Sequence, residues 1–127
     1  MARRITVIEH AKPALIDTGP QGDSVGDVRI FSNDLFDERN AAVVGADQGF
    51  CVRTIPGHRY ECTWSNIFAN GVIVTQGPGP DAAFTGAEAT VAVTGGTGAF
   101  AGARGELTVK KLAGADHQFT FVFDLLD

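Results

Sequence analysis

Along most of the chain apolar and polar side chains alternate with a period of two, not the 3.6 of a helix, and glycine-rich turns punctuate the runs. Successive side chains of a strand point to opposite faces, so this pattern predicts half-buried β-strands. Eight candidate strands result: Arg4 to His10, Asp27 to Phe36, Val43 to Thr54, Arg59 to Ala69, Gly71 to Gln76, Glu88 to Val93, Ala103 to Leu112 and His117 to Leu126. Eight strands close well into a small barrel, which leaves no edge exposed and encloses about one small ligand. The expected fold is all-β: a single-domain, eight-stranded antiparallel β-barrel over residues 1–127 with a central hydrophobic cavity. Most connections are short, such as Pro56-Gly57 and Asn70-Gly71; the longer ones, Ala11 to Gly26 and Gly77 to Ala87, are the expected lids or mouth loops.

The strand faces say what the interior holds. In the fourth strand Tyr60, Cys62, Trp64, Asn66 and Phe68 share one face and Glu61, Thr63 and Ser65 the other, so the first set is expected inside. The last strand repeats this with Phe119, Phe121, Phe123 and Leu125. Other strands are apolar on both faces, with Val28 and Ile30 on one face and Phe31 on the other, and Phe50 and Val52 alternating with Cys51. A barrel wall apolar on its outside implies cover by a second subunit, hence a homo-oligomer.

Composition narrows the classes. With 44% hydrophobic and 20% charged residues and a mean hydropathy of +0.06, the chain is not a disordered one. Glycine, 16 of 127 residues, follows no collagen-like period and falls between β-branched runs, where it reads as turns. A formal charge of −5 with no basic stripe speaks against nucleic acid as a partner. No apolar run approaches the ~20 residues that cross a membrane as a helix. Met1-Ala2-Arg3-Arg4 leads straight into a short apolar run and not a secretory leader, so a cytoplasmic location is expected; the Ala/Gly/Val/Asp/Arg-rich usage fits a GC-rich bacterial source.

Three polar residues sit on apolar faces. Glu9 shares its face with Ile5 and Val7. Burial would raise its pKa and leave it a proton donor or base, whereas fraying of the strand would let it reach solvent at the rim. Asn33 follows Phe31 on one face, yet Ser32-Asn33-Asp34 also reads as a turn. Asn66, between Trp64 and Phe68, can orient a ligand or satisfy a buried backbone group. Cys51 and Cys62 lie symmetrically about Pro56-Gly57, so a hairpin would oppose them; a disulfide is open to them, but in a cytoplasmic protein two buried free thiols are the expectation. Gly95-Gly96-Thr97-Gly98 lacks the lysine and the following helix of a phosphate loop and reads as a turn. His10, His58 and His117 show no metal-ligand spacing and are expected at the surface or rim.

Several segments in order resemble the allene oxide cyclase family, the plant enzymes that close an unstable fatty-acid allene oxide into a cyclopentenone. They are Gly26-Asp27 with Phe31-Ser32-Asn33-Asp34-Leu35-Phe36, Gly49-Phe50-Cys51-Val52, Arg59-Tyr60-Glu61-Cys62-Thr63-Trp64, Gln76-Gly77-Pro78, and Ala92-Val93-Thr94-Gly95-Gly96-Thr97-Gly98-Ala99-Phe100-Ala101-Gly102. Dirigent proteins share the Gly-Gly-Thr-Gly and Ala103-Arg104-Gly105 elements and the same calycin-like barrel. The resemblance implies a cavity carrying Glu9 and Asn33 as catalytic groups and Cys51, Phe31 and Tyr60 as substrate-binding lining, to which the strand pattern adds Trp64, Asn66 and Phe68. Ala11 and Gly79 stand where the plant enzymes have an asparagine and an aromatic, which implies a different substrate. The expected function is a cofactor-independent, metal-free cyclase or isomerase that binds a hydrophobic reactive intermediate, polyketide- or fatty-acid-derived, and directs its ring closure, as a dimer or trimer. A lipocalin-like binding protein or a dirigent-like stereochemical guide is the alternative.

Overall fold

The computed structural model describes residues 3–12, 14–16 and 19–126. Its strands are β1 (Arg3–His10), β2 (Ala14–Ile16), β3 (Val28–Phe36), β4 (Val43–Ile55), β5 (Arg59–Phe68), β6 (Gly71–Pro80), β7 (Ala89–Gly96), β8 (Arg104–Lys111) and β9 (Gln118–Leu126). Every pairing is antiparallel, each strand from β3 onward pairs with the next, and β9 returns to β1. β1 then pairs with β3 through Ile8↔Phe36, Glu9↔Leu35 and His10↔Asp34, which closes the eight-stranded barrel that the alternation predicts.

Two elements depart from that prediction. The stretch Ala11 to Gly26 is not all loop, because Ala14, Leu15 and Ile16 pair with Ile30, Arg29 and Val28. β2 thus continues along β3 the wall that β1 begins, with an interruption at Ala11 and Lys12, and three residues are too few to show a period. The sixth strand runs on past Gln76 to Pro80 and stays paired to β5 as far as Arg59↔Pro80, while its ladder to β7 ends at Gln76↔Ala92. A 3-10 turn, Asp81–Thr85, follows where that ladder has stopped.

The two ends of the barrel differ. At one end Leu35, Ile73, Leu107, Phe121, Phe123 and Leu125 fill the interior. Phe68 meets Phe123 edge-on at 6.1 Å between centroids. Beyond β7 the Gly-Gly-Thr-Gly segment enters a second 3-10 turn, Gly98–Phe100, which drops Phe100 into that packing at 4% exposure. Gly98 takes a left-handed φ of 61°, and a side chain on Gly96 would collide with the carbonyl oxygen of Phe100, so glycine is required for the plug to seat. The other end, where β3 and β5 begin and β6 ends, is open. Among the described residues no helix is long and apolar enough to cross a membrane.

Candidate functional site

The open end leads into a cavity of about 480 Å3, within the usual range for small-molecule pockets. Its walls are mainly aromatic: Phe31 from β3, Tyr60 and Trp64 from β5, Phe84 from the 3-10 turn, and Phe119 and Phe121 from β9. Cys51 and Cys62 also face it. They are directly opposed in the β4–β5 register, their Cα atoms 4.0 Å apart, and they are joined as a disulfide. The expectation of two free thiols is therefore corrected. The hairpin around Pro56-Gly57 leaves no other place for the two inward side chains than against each other.

Glu9 and Asn33 mark the polar part of the lining. Glu9 points inward at 6% exposure, not to the rim, and Asn33 lies within β3 instead of ending it in a turn. Its amide is fixed from two sides: Lys12 N–H donates to Oδ1 at 2.7 Å, and Nδ2 donates to Glu9 Oε2 at 3.2 Å. The break between β1 and β2 is what frees the Lys12 N–H for this bond. Across the β3–β4 register Asn33 faces Asp47, which is fully buried.

The Asp47 carboxyl lies against that of Glu9. Burial first, then the hydrogen bond and negative charge of Asp47, push Glu9 well above the usual carboxylate range, and the Asn33 donor pulls it back only in part. Burial also raises Asp47, partly offset by the neighbouring Glu9 carboxyl and Asn33 N–H groups. Among the described residues no nitrogen or hydroxyl donor stands in hydrogen-bonding geometry to either Asp47 oxygen. A proton on Glu9 would supply that missing donor, and two adjacent buried carboxyls, both raised, titrate as a coupled pair and not singly.

Of the residues expected to contact substrate, Phe31, Cys51, Tyr60 and Trp64 line the cavity, but Asn66 and Phe68 do not. β5 runs from the mouth at Tyr60 toward the packed end, and the cavity stops at Trp64. Asn66 lies in the wall beyond, where Nδ2 donates to the Ile73 carbonyl at 3.0 Å and to Thr75 Oγ1 at 3.2 Å. Phe68 packs on Phe100 and Phe123. Asp47 escaped the sequence reading because its strand is patterned backwards: Val44, Ala46, Phe50 and Val52 face out, and Gly45, Asp47, Gly49, Cys51 and Arg53 face in. Its even spacing from Cys51 was the usable signal.

The mouth is built around arginines. Arg53, with a 7% exposed side chain, binds Asp23 through Nε and Asp81 through Nη1, both at 2.7 Å, and stacks on Tyr60. Those acids raise its pKa further, and it clasps the loop before β3 and the 3-10 turn to the barrel. Arg29 donates through Nε to the Tyr60 hydroxyl at 3.0 Å and lies over the Tyr60 and Phe84 rings. His117 stands at the mouth, while His10 is stacked on Phe36 and bonded to Asn40, off the site. Among the described residues no cluster of His, Cys, Asp and Glu could hold a metal ion.

The allene oxide cyclase family model matches residues 4–125. The chain belongs to the allene oxide cyclase family. A solved structure of a pyocyanin demethylase is similar at 30% identity and a TM-score of 0.80, with 99% of this chain and 100% of that one covered. A pterocarpan synthase dirigent protein (18% identity, TM-score 0.73, 98% and 93% covered) and an exo-specific intermolecular Diels-Alderase (13%, 0.73, 98% and 98%) share the fold. Within the allene oxide cyclase family, then, this chain is a closed β-barrel of the kind that binds small molecules.

Proposed function

We propose that this allene oxide cyclase-family barrel is a cofactor-independent cyclase or isomerase that holds a hydrophobic reactive intermediate, polyketide- or fatty-acid-derived, in its cavity and directs ring closure. The observation that carries this reading is the buried Glu9–Asp47 carboxyl pair, both raised above the usual carboxylate range, at the edge of an apolar, aromatic-walled cavity. A chain folded against Phe31, Trp64 and Phe121 meets its own reacting ends, and such positioning lowers a barrier by up to several kcal/mol. Glu9 touches the cavity; Asp47 lies behind it. Glu9 hands its proton to the substrate oxygen on which charge develops and takes one back from substrate as product forms, so the cycle consumes nothing. Asp47 holds the pair at one proton, and Asn33 aims the Glu9 carboxylate and can reach a substrate oxygen. General acid–base help of this kind contributes about 100- to 10,000-fold.

Glu9→Gln tests it. Turnover of a cyclising substrate should fall by about 100-fold or more, with ligand still bound; unchanged turnover overturns the role. The full-length identity to a pyocyanin demethylase favours a second reading, demethylation of a pyocyanin-like compound, so pyocyanin belongs in the substrate panel. Stoichiometric retention of ligand with no product after long incubation would make the barrel a binding protein or stereochemical guide. We also propose that a second copy covers the outer face of β3 and β4, where Ile30 and Phe50 are adjacent in register and 45% and 48% exposed. Native mass spectrometry reads the dimer or trimer, and a monomer counts against it.

A further inference from the structure

We propose that Arg29 is the anchor of an anion-binding subsite at the cavity mouth, and that the ligand is an aromatic or otherwise flat organic acid bound with its anionic group outward. The inference rests on the cavity being the ligand site, as proposed above. It starts from a difference between two arginines that share Tyr60. Arg53 is buried and neutralised, with Asp23 on one side of its guanidinium and Asp81 on the other. Arg29 lines the cavity, half-buried, and among the described residues its side chain's polar contact is one neutral group, the Tyr60 hydroxyl, reached through Nε. Its terminal nitrogens have no carboxylate partner among the described residues. The nearby acids among the described residues are otherwise engaged: Asp23 and Asp81 with Arg53, the buried Asp27 with the Ser24 N–H at 3.0 Å, and the exposed Asp116 with Lys111 at 4.0 Å.

The guanidinium plane is held for this task. It lies over Tyr60 at 5.3 Å and over Phe84 at 4.9 Å, one ring from β5 and one from the 3-10 turn. A guanidinium fixed through Nε keeps its outer N–H fork free, and that fork matches a carboxylate or sulfonate bidentately. Lys111, also in the lining, has Asp116 at 4.0 Å and adds little net charge there, so Arg29 is the cation that the mouth offers.

The rest of the cavity fixes the orientation. Arg29, Phe31 and Asn33 are successive inward positions of β3, and four residues of strand separate the first from the last by roughly 13 Å. Between them the lining is aromatic. Beyond Asn33 stand Glu9 and Asp47, which together carry negative charge even with a proton shared between them. An anion is repelled there and attracted at Arg29, so a flat acid enters with its uncharged end leading. That end, not the acidic group, is delivered to Glu9.

Two dyes with one aromatic body test this in the intact protein: 1-anilinonaphthalene-8-sulfonate and its uncharged counterpart N-phenyl-1-naphthylamine, with binding read by dye fluorescence and by Trp64 emission. The wild type should bind the sulfonate about tenfold tighter than the neutral arene, an advantage that shrinks with added NaCl. Arg29→Gln should erase the preference and leave neutral-dye affinity in place; Arg29→Lys should keep most of it. Equal affinity of the two dyes in the wild type overturns the subsite while leaving the cavity reading intact, and so does a preference that survives Arg29→Gln. Loss of both dyes in Arg29→Gln also overturns it, since Arg29 would then be a structural prop of the mouth. Failure of the wild type to bind either dye removes the cavity reading as well.

Discussion

The packed and open ends of this barrel are made by the same strands, yet they use side chains in opposite ways. At the packed end β5, β6 and β9 supply Phe68, Ile73 and Phe123, and Phe100 is pushed in from outside to finish the filling. Toward the open end those strands supply Trp64, Gly79 and Phe119, which leave about 480 Å3 unfilled. Stability is concentrated where the interior is filled, and binding surface where little is packed. A barrel this small can host a cavity because half of it is given over to core.

The largest test of that contrast is at the packed end. Phe123→Ala should cost about 3–5 kcal/mol of unfolding free energy in urea titrations while the folded fraction still binds dye; a loss below about 1 kcal/mol would mean that this end is not the anchor. Next comes the covalent tie at the cavity. The disulfide spans a separation of 11 residues, so Cys51→Ala with Cys62→Ala should lower stability by about 2–3 kcal/mol, read against the oxidised wild type.

The third test is pH. Glu9 has a raised folded pKa, so the native state binds a proton that the unfolded chain has already released. Stability is therefore full below the ordinary carboxylate pKa and falls as pH rises toward the raised one, by at most about 1.4 kcal/mol per pH unit. Glu9→Gln should flatten that slope; a stability that rises with pH over this interval in the wild type, matched by the variant, would remove the shared proton. The smallest effect belongs to the mouth. Phe84 is 43% exposed, so Phe84→Ala should change stability by no more than about 1 kcal/mol yet weaken aromatic ligands several-fold in fluorescence titrations.

These contrasts also explain what could be read from the sequence. The inward rows Ile5-Val7-Glu9, Tyr60-Cys62-Trp64 and Phe119-Phe121-Phe123 are legible because a strand with one wet face announces its dry one. β4 does the reverse: its apolar residues are outside and its acid, arginine and glycines inside, so Asp47 and Arg53 look solvent-facing until Cys51 fixes the parity. Arg29 hides for the same reason, since Val28 and Ile30 beside it are the more hydrophobic pair. Where the cavity ends along β5 cannot be seen from alternation at all, because Trp64 and Phe68 share one face and differ only in what lies across the barrel from them.

The last turns of β6 carry a consequence for how this protein behaves in a crowded solution. Past Gln76 that strand is paired on one side only, and a bare strand edge is a template on which another chain can grow a sheet. Pro78 and Pro80 stand at alternate positions there, so their missing N–H groups fall along a single edge, and the unbroken ladder to β5 assigns that edge to the unpaired side. The mouth can leave this stretch of wall unpaired without becoming sticky toward neighbouring chains, and replacing both prolines would be expected to turn it into a seed for aggregation.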